Sequence, residues 1–377
     1  MNADRKLLWA VVPILLATTM IGAWAVADMR EKREVERITG NMKTVCVGRF
    51  LIDMPTEAQI ELVQPRISGF NIGFFDESLE EFQARLAERE RHIQAHPNKP
   101  DAGPNLESVR EIKTHKGVNG KVFVHSRQIT EGTRARGMEI ERYRYESVAV
   151  EALVHGKGIS FDISNDNYLP DRADRIVHLV NQLDPNPKNQ VPAAPGYCID
   201  HAYFNNPPDA DAGERIMMLA KLPSHPDIAF MLILAAGTKP DEKGLLERDR
   251  SAESRLSLAE RMRMTKLRAG TRMIGGIAGD EVIRTIVDED KARGFDAWWE
   301  VNGKEEDVFL PHLVFKMDTG KGQEGPVPSS LSDGVALRVW DKISSSIRIR
   351  PTSATSSTVT QARLTPAGSP DRAPTPH

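Results

Sequence analysis

The residues of this chain that could do chemistry are few, and their spacing fits no common catalytic or metal-binding motif. His92 and His96 are four residues apart, which places both imidazoles on one face of a helix, but Ile93 stands where a zinc protease motif has glutamate. The chain contains neither a G-x-S-x-G nucleophile motif nor a G-x-x-x-x-G-K-[ST] phosphate loop. We therefore predict that the protein has no catalytic, cofactor-binding or metal-binding residues and is not an enzyme.

The two cysteines, Cys46 and Cys198, each begin a ten-residue segment that ends on proline, CVGRFLIDMP and CIDHAYFNNP. Their apolar strand context indicates a disulfide bridge or an inert buried thiol rather than a nucleophile. In an oxidising compartment, a bond between them would close a loop of roughly 150 residues and contribute up to about 5 kcal/mol in the loop-entropy model. The sequence does not determine the distance between the two Cα atoms, so two separate buried thiols remain the alternative to a disulfide.

Trp298 is the residue that the sequence indicates as a candidate for partner binding. In the strand GFDAWWEV, alternation places Trp298 on the same face as Asp296 and Glu300. The first half of the chain has Arg144 at the position that we equate with Trp298, which indicates that this face of the strand is exposed to solvent. A tryptophan among acidic residues on a solvent-exposed face is typical of a binding hot spot. The alternative is that a helix or loop covers the face and that Trp298 belongs to the core.

The elements that must position these residues recur in two halves of the chain. Residues 44–183 and 198–350 show seven blocks of similar character in the same order, at offsets that drift as expected for loops that gain insertions. Short alternating strands with one or two helices predict an α+β fold, in which helices cover one face of a mainly antiparallel sheet. The predicted fold is two tandem, duplicated domains of this kind. Paired blocks include KGVNGKVFV at 116–124 with GGIAGDEVI at 275–283, YRYE at 143–146 with AWWE at 297–300, and the helix at 77–93 with 251–264.

Two further segments lie outside the predicted domains. Residues 184–197 contain four prolines and are predicted to form a semi-rigid linker between the two domains. In residues 351–377, 19 of the 27 residues are Ser, Thr, Pro or Ala, so this segment is predicted to be a disordered tail.

The N-terminus carries an apolar segment of a different kind. Residues 7–27 are 21 residues without a charge, enough for a helix of roughly 31 Å that matches the hydrocarbon thickness of a bilayer. The sequence AVA just before Asp28 resembles a cleavage site. Residues 1–27 are therefore predicted to be a signal anchor in the inner membrane or a cleaved signal peptide. The formal net charge of −3 gives no electrostatic reason to expect nucleic acid as a partner.

Two stretches of sequence carry a resemblance to a known family. TVCVGRFLIDMPTEAQI near the front of the body, with GYCIDHAYF at the start of the second domain, resembles the immunity proteins of type VI secretion phospholipase (lipase) effectors. The resemblance extends over residues 44 to about 350. It implies a two-domain, non-catalytic periplasmic inhibitor that binds and occludes a toxic phospholipase, without cofactors. We expect a one-to-one complex with the cognate effector.

Two other functions remain open at this point. An envelope scaffold or ligand-binding protein would also be exported and have two domains. A neighbouring gene that encodes something other than a lipase would favour this function. A hydrolase of unrecognised type would instead turn over lipid or ester substrates.

Overall fold

The structure is a computed structural model that describes residues 26–97, 104–205, 213–305 and 307–351. The helices are residues 26–39 (α1), α2 Leu79–Ala95, α3 Arg175–Gln182, α4 Leu245–Glu253, α5 Leu258–Met262 and α6 Asp333–Ser344, with a 3-10 turn at Pro170–Arg172. The strands of the first half are β1 Met42–Val47, β2 Phe50–Pro55, β3 Gln59–Ile67, β4 Phe70–Asp76, β5 Leu106–Lys113, β6 Asn119–Arg136, β7 Glu139–Gly156, β8 Ile159–Tyr168 and β9 Leu183–Pro185. The strands of the second half are β10 Gly196–Ile199, β11 Ala202–Asn205, β12 Glu214–Leu222, β13 His225–Ala236, β14 Met264–Ile274, β15 Ile277–Val287, β16 Arg293–Val301, β17 His312–Asp318 and β18 Arg348–Ile349.

The chain divides into two compact units. In the described part, the first unit consists of residues 26–68 and 213–348, and the second consists of residues 69–205 and 349–351, each with the gaps given above. The first unit contains a sheet in the order β14-β15-β16-β17-β13-β12-β3, and the second contains a sheet in the order β4-β8-β7-β6-β5. The strand pairs within each of these sheets are antiparallel. The prediction of two domains, each with a mainly antiparallel sheet, is confirmed.

The compact units differ from the two halves of the sequence. Each half begins with a short hairpin, β1–β2 or β10–β11. The hairpin β1–β2 contacts α6 in the first unit, and β11 pairs with β9 in the second unit. Each hairpin therefore lies in the unit that holds the main sheet of the other half.

The core of the second unit lies between α2 and its sheet. Ser78 begins α2 with a capping box, because its side chain accepts from the Glu81 N–H while the Glu81 carboxylate accepts from the Ser78 N–H. Phe82 and Ile93 on the inner face of α2 pack with Phe123 of β6 and Leu153 of β7.

The core of the first unit lies between α6 and its sheet. Trp340 of α6 is fully buried and stacks on Phe315 of β17, with ring centroids 5.0 Å apart. Phe315 stacks in turn on Phe230 of β13. These rings anchor α6 on one face of the sheet and leave the opposite face to the shorter helices α4 and α5.

Glycines at matching positions have matching roles in the two units. Gly117 and Gly276 adopt positive φ in the turns before β6 and β15, a conformation that favours glycine. Three residues later, a Cβ at Gly120 would lie 2.0 Å from the Leu153 carbonyl oxygen, and one at Gly279 would lie 2.7 Å from the Glu300 carbonyl oxygen. Both second glycines are required by the close approach of the next strand.

The sequence blocks YRYE and AWWE are not at equivalent positions, and this part of the comparison of the two halves is wrong. Lys121 and Asp280 are equivalent, because each directly follows a close-approach glycine, Gly120 or Gly279. Lys121 pairs with Leu153 and Asp280 pairs with Glu300, so Leu153 and Glu300 are equivalent as well. The counterpart of Trp298 in the second unit is therefore Glu151, not Arg144. The block YRYE lies instead on a longer part of β7 that β16 lacks.

The N-terminal and C-terminal predictions fall mostly on residues beyond those that the structure describes. Residues 1–25 of the predicted signal segment and residues 352–377 of the predicted tail lie outside the described part of the chain. Among the described residues, no helix is long and apolar enough to cross a membrane. In the predicted linker 184–197, β9 ends at Pro185 and β10 begins at Gly196.

Candidate functional site

The candidate site is the face of the sheet in the first unit that is opposite α6, which we call the open face. Cross-strand pairing places Leu219 beside Met231, Met231 beside Lys316, and Lys316 beside Trp298. Leu219 is exposed, and the other three side chains are half-buried. A row of Leu, Met and Trp side chains with partial exposure on a sheet is typical of a surface that binds another molecule.

The open face stays accessible because the helices over it are short. In the second unit, the 17-residue α2 covers the equivalent face, where Arg89 pairs with Glu151 at 2.9 Å and Arg85 with Asp162 at 2.8 Å. In the first unit, α4 has nine residues and α5 has five, and they contact β15 and β14 at one edge of the sheet. The middle strands of the first unit therefore carry half-exposed apolar side chains.

Trp298 lies between the two alternatives that the sequence leaves open. Its ring is half-buried, and the Lys316 ammonium lies 4.4 Å from the ring centroid in a cation–π contact. The indole Nε1 is buried and has no hydrogen-bond partner among the described residues. Neighbouring Glu300 is 4% exposed and accepts from Arg248 of α4, so the edge of this face near α4 is covered.

Carboxylates line a cavity of about 460 Å³ that is also lined by Lys316, the residue in contact with the Trp298 ring. Asp296 accepts from Arg284 at 2.9 Å and lies directly opposite Asp318 in the β16–β17 pair. Burial raises the pKa of the Asp318 carboxyl above its ordinary value, and the negative charge of Asp296 raises it further. The cavity thus combines a carboxyl pair with Lys316, which is suited to polar contacts at the rim of an apolar surface.

The other residues that the sequence singles out do not join this site. Cys46 on β1 and Cys198 on β10 are both buried, and neither is a free thiol. His92 and His96 lie at the exposed end of α2, where the His96 Nδ1 is 2.7 Å from the His92 carbonyl oxygen. Among the described residues, no group of three or more His, Cys, Asp or Glu side chains could hold a metal ion.

Sequence reasoning found Trp298 but missed its neighbours Leu219, Met231 and Lys316. The strand that holds Met231 reads IAFMLILAA and is apolar on both faces, which is the pattern of a strand buried on both sides. Only the short length of α4 and α5 distinguishes a strand with one open face from a strand buried on both sides. A break in the helical pattern of residues 245–262 is the sequence signal that could have revealed the open face.

The chain is similar to known immunity proteins over most of its length. Residues 43–150 match the family described as Tle cognate immunity protein 4 N-terminal domain, and residues 190–352 match the Tle cognate immunity protein 4 C-terminal domain. A comparison with curated proteins found no match.

Solved structures show the same relationship. The immunity protein TplEi of T6SS from Pseudomonas aeruginosa, complexed with "L" peptide, is 26% identical, with 83% of this chain and 100% of that chain covered and a TM-score of 0.65. Its apo structure is 27% identical, with 83% and 98% covered and a TM-score of 0.64. A chain of the Tle4-Tli4 complex is 27% identical, with 84% and 99% covered and a TM-score of 0.66. The chain belongs to the Tle cognate immunity protein 4 family.

Proposed function

We propose that this protein is an immunity protein that binds and occludes a toxic phospholipase effector of type VI secretion in the periplasm, without catalysis. The observation that carries the proposal is the match of both family domains, at 43–150 and 190–352, in one chain. The relatives are an immunity protein bound to a peptide and a member of the Tle4-Tli4 complex, so binding to another polypeptide is the property they share. The effector is the partner, in a one-to-one complex.

The open face is the surface that we assign to the effector. Trp298 offers a large half-exposed ring, and Lys316 and the carboxyl pair Asp296–Asp318 supply polar groups at its edge. Methionine side chains such as Met231 adapt to an irregular partner surface. An occluding interface of this kind would bury roughly 1,600 Å² or more in total.

We also propose that the two halves of the chain are copies of one ancestral domain, 44–183 and 198–350, joined by residues 184–197. The order β4-β8-β7-β6-β5 in one unit and β13-β17-β16-β15-β14 in the other supports this, since the strands correspond one to one in chain order. The paired capping boxes and close-approach glycines support it as well.

The remaining proposals concern the mature form of the protein. Cys46 and Cys198 form a disulfide, supported by the finding that neither is a free thiol. Residues 7–27 direct export and act as an inner-membrane anchor or a cleaved signal, residues 351–377 are a disordered tail, and the body works in the periplasm.

We expect the cognate lipase to be encoded in a gene beside this one, and the experiment measures whether this protein binds and inhibits that lipase. The body, residues 28–350, is mixed with that lipase in a form whose nucleophilic serine is alanine, and the mass of the complex is measured by light scattering. We expect one copy of each, stable across salt concentrations, and loss of lipid hydrolysis when the active lipase is used. A lipase that stays active and separate from the protein would overturn the proposal.

Two variants test the assigned surface. Leu219→Asp and Trp298→Ala should each weaken lipase binding at least 10-fold, because both remove apolar contact from the open face. Leu258→Asp is the matched control, since Leu258 is 75% exposed on α5 and lies away from this row. Binding that survives both open-face variants unchanged would place the interface elsewhere.

A further inference from the structure

The hairpin of β6 and β7 extends well beyond the rest of its sheet. The last β6 residue that pairs with β5 is His125, and the first β7 residue that pairs with β8 is Val148. Between these limits, residues 128–147 pair only with each other, from Gln128 opposite Ser147 to Arg136 opposite Glu139. We call residues 128–147 the arm.

Nothing in the fold of the unit requires the arm. The corresponding hairpin of the first unit stops at the pair Val287–Arg293 and has no extension of this kind. A two-stranded ribbon without a third strand is only marginally stable in water. The arm also leaves apolar side chains in solvent, since Met138 is fully exposed, Ile140 is 78% exposed and Tyr145 is 56% exposed.

One face of the arm is an ordered aromatic surface. The ring of Tyr143 lies over Gly132 on the opposite strand, and a Cβ at Gly132 would be 2.6 Å from the Tyr143 hydroxyl. Tyr143 and Tyr145 are neighbours on this face, with ring centroids 5.3 Å apart. Arg134 pairs with Glu141 and donates to the Tyr145 hydroxyl at 3.4 Å. The two rings are therefore held in place before any partner arrives.

The charges of the arm indicate what it binds. Its four arginines equal its four glutamates in number, so it has no net charge and is not a basic patch for anionic lipid. Arg144 pairs with Glu131 and Glu146, but Arg136 and Arg142 contact no carboxylate in the described part of the chain. Two free guanidinium groups beside exposed Met, Ile and Tyr side chains complement a protein surface in which carboxylates surround an apolar cleft.

We propose that the arm is a contact element for the effector, with Met138 and Ile140 at its tip entering an apolar cleft of the lipase. Arg136 and Arg142 pair with carboxylates at the edge of that cleft, and the Tyr143–Tyr145 surface packs against its wall. This inference rests on the proposed function and adds a second contact surface to the open face. Tyrosine and arginine are enriched among the residues that carry most of the binding energy in protein interfaces, and methionine is enriched at interfaces in general.

The test shortens the arm and keeps the paired residues Gln128 and Ser147 at its base. Replacing residues 129–146 with Asn-Gly joins the paired residues Gln128 and Ser147 through a two-residue hairpin turn. We expect the shortened protein to keep the circular dichroism spectrum and Tm of the wild type and to bind the serine-to-alanine lipase at least 100-fold more weakly. The point variant Met138→Glu should weaken binding at least 10-fold. Met262→Glu is the control, because Met262 is 80% exposed on α5 and should leave affinity unchanged.

Three outcomes would contradict the role of the arm as a contact element for the effector. Wild-type affinity in a folded, shortened protein overturns the arm as a contact element while leaving the proposed function standing. If the wild type itself does not bind the lipase, the proposed function and this inference both fail. If the wild type is a dimer by analytical ultracentrifugation and shortening the arm makes it a monomer with unchanged lipase affinity, the arm serves self-association and the inference is wrong.

Discussion

Trp340 of α6 donates its indole N–H to the Glu281 carboxylate of β15 at 2.8 Å. Glu281 is 2% exposed and also accepts from Arg272 at 2.6 Å and from Arg268. One buried carboxylate thus ties the closing helix of the first unit to β14 and β15. A buried charge of this kind is tolerated because each of its oxygens is hydrogen-bonded to a charged or polar donor.

Removing this carboxylate should destabilise the first unit. Glu281→Ala leaves two guanidinium groups and the Trp340 N–H without their shared acceptor, so we expect a loss of about 3 kcal/mol in the free energy of unfolding. Urea denaturation followed by tryptophan fluorescence measures this loss. Glu88→Gln removes the exposed carboxylate that pairs with Arg91 and should change stability by less than about 0.5 kcal/mol. Equal effects of the two variants would contradict this account of Glu281.

The two capping boxes should differ in their contribution to stability. Ser78 and Ser257 cap α2 and α5 with the same S-x-x-E arrangement. Because α2 packs two buried residues into the core, Ser78→Ala should lower the free energy of unfolding of its unit by about 1 kcal/mol. Helix α5 buries no residue, so Ser257→Ala should produce local fraying, detected as faster amide hydrogen exchange in residues 258–262. Global destabilisation by Ser257→Ala that matches Ser78→Ala would count against this prediction.

Asp227 should make the first unit sensitive to acid. Its buried carboxylate accepts from the backbone N–H groups of Gly320 at 3.1 Å and Ser330 at 3.0 Å. Burial by itself acts to raise the pKa of Asp227, but a hydrogen bond from the Ser330 side chain and these two backbone hydrogen bonds outweigh burial and hold the pKa below the ordinary value of 3.8. The stabilisation is therefore fully present above the unfolded-state pKa and is lost as pH falls through the lower folded-state pKa.

The measurement is the free energy of unfolding of the wild type and Asp227→Asn between pH 2.5 and pH 6, a range that includes about one pH unit on either side of an unperturbed carboxyl. The wild type should lose stability below about pH 4 more steeply than the variant, since the variant has no proton to bind at this position. Parallel curves for the two proteins would show that Asp227 does not contribute to acid sensitivity.

The proposed disulfide has a direct chemical test. Non-reducing proteolysis and mass spectrometry of protein exported to the periplasm should yield one linked peptide pair that contains Cys46 and Cys198. Reduction or the double variant to serine should then lower the free energy of unfolding by up to about 5 kcal/mol, since the bond closes a loop of roughly 150 residues. Full labelling of both cysteines by iodoacetamide without reductant would rule the bond out.

The internal comparison of the two halves shows where a sequence pattern holds and where it fails. The glycine pair 117 and 120 matches 276 and 279 in conformation and in close contact, because such positions admit no other residue. The aromatic blocks at 143–146 and 297–300 share composition but not position, because similar alternation occurs on any strand with one wet face. Leu79 shares the apolar periodicity of Phe82 and Ile93 along α2, yet it is 55% exposed because it is the first residue of the helix.

The amino-acid sequence by itself determined the family, the element types and the mainly antiparallel architecture, because these depend on local periodicity, turn residues and motifs that are readable along the chain. Tertiary structure alone decided which hairpin packs in which unit, which face of the sheet with Trp298 stays open, and how far the arm of residues 128–147 extends past its neighbours. Those features depend on strand register and on the reach of short helices, and contacts between residues distant in sequence set both.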